Sequence, residues 1–333
     1  MHLKPPVSIL LSALSLATGG QTHPTHSEPL RVETFINSAP SLDVVCSLII
    51  GSEAAVLVDM PLAIPQAESL AAWVNQTTDK PLVAVFTTHS HPDHYLSGAA
   101  LLQYYPNAKY YAHPDAVALI QNESQEQIAA CGSILGNETV VSEAIIPTPY
   151  NFTFFTLLGD EDSPIQLPSP LGGDTIDETL FYIPSIETLI AGDTVYSHDM
   201  HLWLADLLTP ALTSSWLSTL GYIKNLAPKR VIPGHALSID KFGPTIDVAH
   251  TEAYVKFFQQ NIEARGVDYF TPQEIFDRSH AEFPGLLNKT NSTTSATLLN
   301  ITSEEFGRNG TRRTHYVDLA SFNDTRALTG WQL

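Results

Sequence analysis

The chain has 333 residues, 44% hydrophobic and 15% charged, with 16 Lys plus Arg against 35 Asp plus Glu and a formal net charge of −19. That apolar share belongs to a globular protein with a large core and excludes a disordered chain. The acid excess excludes nucleic acid as the main partner, because phosphate contacts need clustered Lys and Arg, and equally disfavours an anionic membrane surface.

Residues 1–19 read as a secretory signal peptide: Lys4 is the basic start, Pro6 to Leu16 the apolar stretch, and Ala17-Thr18-Gly19 the small-residue cleavage site. The apolar run is well short of the ~20 residues that span a bilayer, and no other stretch approaches that length. Of 13 Asn, nine sit in N-x-S/T acceptors: Asn75, Asn122, Asn137, Asn151, Asn288, Asn291, Asn300, Asn309 and Asn323. Chance gives roughly two at this Ser and Thr content, so the expectation is an extracellular chain with N-linked glycans from a eukaryotic secretory pathway. Cys46 and Cys131 are the only cysteines; they either pair in the oxidising compartment or stand as two small hydrophobes.

After a polar stretch over 20–29, β-branched segments predict strands at Leu30–Ile36, Val44–Ile50 and Ala54–Asp59. Helical spacing follows over Pro65–Thr77, with Leu70, Trp73 and Val74 on one face, and then a continuous apolar run, Pro81–Thr88, as in a strand buried on both faces. Leu96–Tyr105 reads as helix, Ala108–Ala112 as strand and Pro114–Ala130 as helix. A second half repeats the rhythm: strands at Phe152–Leu157, Ile165–Leu167, Glu178–Ile183, Thr188–Ala191 and Arg230–Ile232, with helices at Leu212–Leu226 and Ile246–Gly266. From about Pro284 the composition turns to Asn, Thr and Ser, which sets a domain at 28–285 against a solvent-facing, glycosylated tail at 286–333, with one further strand at His315–Ala320.

The chemistry concentrates in HSHPDH over residues 89–94. His89 and His91, at i and i+2 of an extended strand end, point to the same side and can reach one ion. Asp93 and His94 fall in the following turn and face a second position. Imidazole with carboxylate suits zinc and neighbouring first-row metals. The other histidines carry less: His113 reads as a helix cap, and His198 and His201, near Trp203, as part of a solvated loop.

With this motif the chain resembles the metallo-β-lactamase superfamily, whose first motif is HxHxDH. Ala191-Gly192-Asp193 resembles the strand-end aspartate that bridges two metals, and Pro233-Gly234-His235 the last histidine ligand, across roughly residues 30–265. The resemblance implies an α+β fold, a four-layer αβ/βα sandwich with the metal site at one edge of the two sheets. It also implies a secreted, fungal-type metallohydrolase with two divalent ions on His89, His91, Asp93, His94, Asp174, Asp193 and His235. The family places a histidine in Gly-His-Thr where this chain has Gly173-Asp174-Thr175. A carboxylate there is harder and more negative than imidazole, so zinc is the first expectation and manganese or iron the alternative.

The implied activity is hydrolysis of a small carbonyl substrate (lactone, ester, thioester or amide) by a water that the cations acidify. Asp93 would orient or deprotonate that water. Tyr196 resembles a tyrosine of acyl-homoserine lactonases that contacts the carbonyl oxygen, and would hold the oxyanion. The motifs have no Lys/Arg cluster beside them, which disfavours phosphodiester cleavage. Two rivals are a mono-iron oxidoreductase of the same fold and a non-catalytic secreted binding protein on a degraded scaffold. The oligomeric state stays open.

Overall fold

The computed structural model describes residues 30–240, 242–287, 293–313 and 315. The signal segment, Asn288, Asn291, Asn323 and the strand expected beyond His315 lie outside them.

Two sheets carry the chain. The first takes β1 (Arg31–Asn37), β2 (Val44–Ile50), β3 (Ala55–Val58), β4 (Leu82–Phe86), β5 (Lys109–Ala112) and β6 (Thr148–Pro149), in that order. Its first three strands are antiparallel neighbours and the rest pair in parallel. The second takes β7 (Phe154–Phe155), β8 (Ile165–Gln166), β9 (Phe181–Ile183), β10 (Thr188–Ile190) and β11 (Arg230–Ile232), with β10 and β11 parallel.

The period-two alternation of β2 sorts its side chains into two layers. Cys46, Leu48 and Ile50 pack under α1 (Ile64–Thr77), α2 (Gly98–Leu102) and α3 (Pro114–Leu135), through residues such as Leu70, Val74, Leu101 and Ile120. Val45 and Ile49 face the second sheet, meeting Phe181, Ile183, Ile190 and Ile232. The outer face of that sheet, with Leu189 and Val231, is covered by Trp216 and Leu220 of α4 (Pro210–Leu226) and by Val255 and Phe258 of α5 (Asp247–Asn261). The result is a helix–sheet–sheet–helix sandwich. Phe86 ties its middle layer together, stacking on Phe155 at 5.1 Å and meeting Phe181 edge-on at 5.5 Å. Truncating Phe181 to alanine is expected to lower the unfolding free energy by about 3–5 kcal/mol, read from denaturant midpoints.

The sequence expectations differ from the structure mainly at element ends. The helix expected at Leu96–Tyr105 keeps only α2, and α3 runs on to Leu135. The long helix after 246 stops at Asn261, with a short 3-10 turn over Glu263–Arg265 beyond it.

The segment expected to be a solvent-facing tail departs most. It supplies α7 (Thr294–Phe306), packed beside α6 (Pro272–Glu282), and α7 buries Leu298 and Phe306 in the same core as α5, with Leu299 buried as well. Its Ser and Thr residues are structural: Ser295 Oγ accepts from the His201 N–H at 2.8 Å and Thr302 Oγ1 from the Leu204 N–H at 3.0 Å.

Both cysteines are free, with Cys46 buried on β2 beneath the Asn37 amide. The described acceptors Asn75, Asn122, Asn137, Asn151, Asn300 and Asn309 are all exposed. No helix among the described residues is long and apolar enough to cross a membrane.

Candidate metal centre

Four connections end at one edge of the sandwich, and all seven residues singled out as ligands sit there. His89 and His91 leave the end of β4, and the 3-10 turn Pro92–His94 brings Asp93 and His94. Asp193 sits in a second 3-10 turn, Gly192–Thr194, directly after β10, while His235 follows β11 and Asp174 lies in the loop before β9. Because β10 and β11 run parallel, their ends emerge together; Val44 and Tyr196 each bridge to His235 and fix its depth. Gly234 is required here, since a Cβ would collide with the Asp193 carboxylate and the Gly192 backbone.

The donors fall into two groups, His89, His91, Asp174 and Asp193, and Asp93, His94 and His235, each able to offer one ligand atom within 4.8 Å of the others. His91 Nδ1 lies 3.2 Å from Asp174 Oδ2 and His89 Nε2 4.0 Å from Asp174 Oδ1. Asp193 joins the groups: Oδ1 is 3.2 Å from His94 Nε2 and Oδ2 is 3.1 Å from His235 Nε2. Asp93 Oδ2 is 3.3 Å from His235 Nε2.

The far side of each imidazole settles which nitrogen faces the centre. His94 Nδ1 donates to Asp59 Oδ2 at 3.0 Å and His235 Nδ1 to the Leu42 carbonyl at 2.8 Å. Thr88 Oγ1 donates to the Asp59 carboxylate at 3.0 Å, so it accepts from His89 Nδ1, also at 3.0 Å. His91 is turned the other way, its Nε2 donating to Asp206 Oδ2 at 3.0 Å. Each ring therefore turns its other nitrogen inward, Nε2 of His89, His94 and His235 and Nδ1 of His91, the atom a metal would take once its proton leaves.

This arrangement fits a divalent cation on its own chemistry. His94 Nε2 and His235 Nε2 face each other at 3.3 Å with Asp193 3.2 and 3.1 Å from them, a spacing that needs a proton or a cation between the rings. His89 Nε2, Asp174 Oδ1 and Asp193 Oδ1 are buried with no hydrogen-bond partner. Burial raises the Asp174 carboxyl to about 6, with Asp193 adding to the shift against His91 and Tyr196. Burial also works against ionised Asp193, but His235 and His94 hold it well below the usual carboxylate range.

Tyr196 is buried, stacked on His235 at 5.4 Å, and its hydroxyl lies 2.8 Å from Asp174 Oδ2 and 2.6 Å from Asp193 Oδ2, with one proton to share between them. It clamps two carboxylates, and the oxyanion role expected of it would require one of these contacts to be given up. His113 caps α3, accepting from the Asp115 N–H at 3.2 Å. The loop over 197–209, expected to be solvated, is instead largely buried: Met200, Leu202, Leu204 and Leu207 enter the core and His201 Nδ1 reaches the Tyr254 hydroxyl at 2.8 Å. Its apolar residues fall at every second or third position, a signal masked by the interleaved His, Trp and Asp.

Sequence reasoning missed four supporting acids. Asp59 directly follows β3, whose parallel pairing with β4 sets Val58 beside Phe86 and so Asp59 beside the HSHPDH segment. Glu178 lies fully buried 3.5 Å from His89 Nδ1, and burial, then Asp174 and Asp193, push its pKa well up. Asp177 accepts from Thr175 Oγ1 at 3.1 Å within the loop that carries Asp174. Asp206 binds His91 and receives Arg313 and His315 from beyond α7.

His315 is raised from 6.5 to about 9 by its hydrogen bonds to Asp206 and Glu305, outweighing burial, with Arg313 the neighbouring cation. Its charged form thus stabilises the fold fully below pH 6.5, and that contribution is lost as pH rises through about 9. A His315→Gln variant is expected to melt below the parent at pH 6 and to approach it by pH 9.5, followed as melting temperature against pH.

A helix–sheet–sheet–helix sandwich with a His/Asp cluster at one sheet edge defines a candidate metalloprotein. The family model of the metallo-beta-lactamase superfamily matches residues 40–235, and the chain belongs to that superfamily. No curated protein matches it. Among solved structures it is similar to a metallo-beta-lactamase from Pontibacter korlensis, at 19% identity and TM-score 0.48, covering 68% of this chain and 99% of that one. It is also similar to a double mutant of the sec-alkyl sulfatase PisA1, at 17% identity and TM-score 0.52, covering 78% of this chain and 46% of that one. These likenesses extend to the fold.

Proposed function

We propose that this chain is a secreted, glycosylated, metal-dependent hydrolase that acts on a small uncharged carbonyl substrate such as a lactone, ester, thioester or amide. One observation carries the reading: four inward-turned imidazole nitrogens and the Asp93, Asp174 and Asp193 carboxylates converge on one buried edge, with three donor atoms left without partners. His89, His91, Asp174 and Asp193 would hold one divalent ion and Asp93, His94 and His235 a second, with Asp193 reaching both groups. When bound, such ions acidify water and polarise a carbonyl.

The protein's own residues do the rest. Thr88, Asp59, Leu42 and Asp206 hold the four rings in one tautomer, so no donor has to reorient. Tyr196 keeps the Asp174 and Asp193 carboxylates together. Asp93, whose side chain is 10% exposed against 1–2% for Asp174 and Asp193, is the acid open to the mouth, and its Oδ2 is placed to orient a water and accept a proton. His91 and Trp203 form the partly open wall beside it.

Arg313, whose guanidinium lies over the Trp203 ring, has its charge engaged by Asp206; that arrangement supports an uncharged substrate over a phosphodiester. The seven donors in two groups favour a two-ion centre over a single iron.

The test is metal analysis of the secreted protein together with a panel of lactone, ester, thioester, amide and sec-alkyl sulfate substrates. Chelator-sensitive turnover on a carbonyl substrate is expected. Turnover confined to the sulfate would overturn the substrate class, and a metal-free protein inactive on the whole panel would overturn the enzyme reading.

A further inference from the structure

The four inward-facing imidazoles are not supported alike. His89, His94 and His235 are held from within the sandwich, by Thr88, Asp59 and the Leu42 carbonyl, and their side chains are 0–2% exposed. His91 is the outlier, with a side chain 15% exposed and its outer nitrogen on Asp206, a residue of the 197–209 loop.

Asp206 is itself buried and is held largely from the end of the described chain. Arg313 Nη1 lies 3.0 Å from both of its oxygens and His315 Nδ1 3.1 Å from Oδ1, while Trp203 Nε1 donates to Oδ2 at 2.8 Å. The Arg313 guanidinium also lies over the Trp203 ring, 4.4 Å from its centroid. The segment carrying these cations is anchored in turn: Glu305, in the last turn of α7, accepts from the Arg313 N–H at 2.9 Å and from His315 Nε2 at 3.1 Å. A carboxylate this buried stays ionised and in place only while its cationic partners are present.

We propose that Arg313 and His315 are positioning residues for the ion held by His89, His91, Asp174 and Asp193: by clamping Asp206 they fix the His91 ring with Nδ1 turned inward. This rests on the metal-centre reading above. It makes the segment after α7, more than 100 positions from Asp206 in sequence, a working part of the site. The second group, Asp93, His94 and His235, takes part in none of these hydrogen bonds or ion pairs, so the effect is expected at one of two ions.

The experiment is a titration of chelator-stripped full-length protein with Zn2+ against a chromophoric chelator, supported by Co2+ absorption spectra. Arg313→Ala is expected to weaken one binding step by roughly ten- to a hundredfold, with the other step unchanged. Arg313→Lys should recover part of the loss. In a His91→Ala background, adding Arg313→Ala should cost nothing further, because both changes act through the same ring. Should Arg313→Ala express poorly, His315→Gln is measured the same way.

Parent-like binding of both ions by Arg313→Ala and His315→Gln would overturn the proposal. So would equal weakening of both steps together with a lower melting temperature of the stripped protein, which would mark a purely structural strap. If His89→Ala and His91→Ala themselves bind two ions like the parent, the metal-centre reading has failed and the proposal falls with it.

Discussion

Replacing Asp193 with alanine is expected to remove at least one ion per chain and to lower kcat/KM on any carbonyl substrate by about three orders of magnitude or more. Removing a partner behind a ligand typically costs ten- to a hundredfold, so losing a residue that reaches both donor groups should exceed that range. Asp193 is the acid that lies 3.2 Å from His94 Nε2 and 3.1 Å from His235 Nε2, and it also belongs with His89, His91 and Asp174. Without it, His94 and His235 keep their inward nitrogens 3.3 Å apart with less negative charge to hold a cation between them. The Tyr196 hydroxyl loses its 2.6 Å contact and falls back on Asp174 alone. Asp193→Asn keeps the volume and removes the charge, and should show nearly the full loss. Ion content after dialysis, by atomic emission, and kcat/KM are the two readouts. Two ions per chain with unchanged kcat/KM in both variants would remove Asp193 from the centre.

The strands and the site edge were legible because they obey local rules. β2 alternates between two buried layers and β4 is apolar throughout, so their positions follow from residue pattern alone. HSHPDH, Ala191-Gly192-Asp193 and Pro233-Gly234-His235 each follow a strand end, and a sandwich gathers strand ends at an edge.

What escaped the sequence depends on contacts between distant segments. Asp59 becomes a partner of His94 only because β3 and β4 run parallel. Asp206 and Arg313 meet across 107 positions, and no local spacing encodes that. The described part of the region after residue 285 folds where a glycosylated tail is expected, because its Ser, Thr and Asn content resembles one. On a helix, the same composition leaves Leu298, Leu299 and Phe306 on one buried face.

Asp174 is where this chain departs from its family's pattern, and changing it to histidine is expected to raise the preference of the His89–His91 position for zinc over manganese or iron by roughly tenfold or more. The carboxylate there is fully buried, its Oδ1 has no hydrogen-bond partner, and its Oδ2 accepts from Tyr196 at 2.8 Å beside His91 Nδ1 at 3.2 Å. Imidazole offers a softer donor with no charge, so the change removes one negative charge from the centre and weakens its hold on harder ions. It also frees the Tyr196 hydroxyl to bond Asp193 alone. The larger ring enters a packed site, at a local cost of about 1–3 kcal/mol, so Asp174→Asn is run beside it as the variant that keeps the volume. Competition between equal Zn2+ and Mn2+, read as the ratio of bound ions, measures the effect. A parent-like ratio and stoichiometry in Asp174→His would place Asp174 outside the ligand set. A shifted ratio in Asp174→His together with weaker binding in Asp174→Asn would assign the carboxylate directly to the ion, and would trace this chain's metal preference to one buried charge.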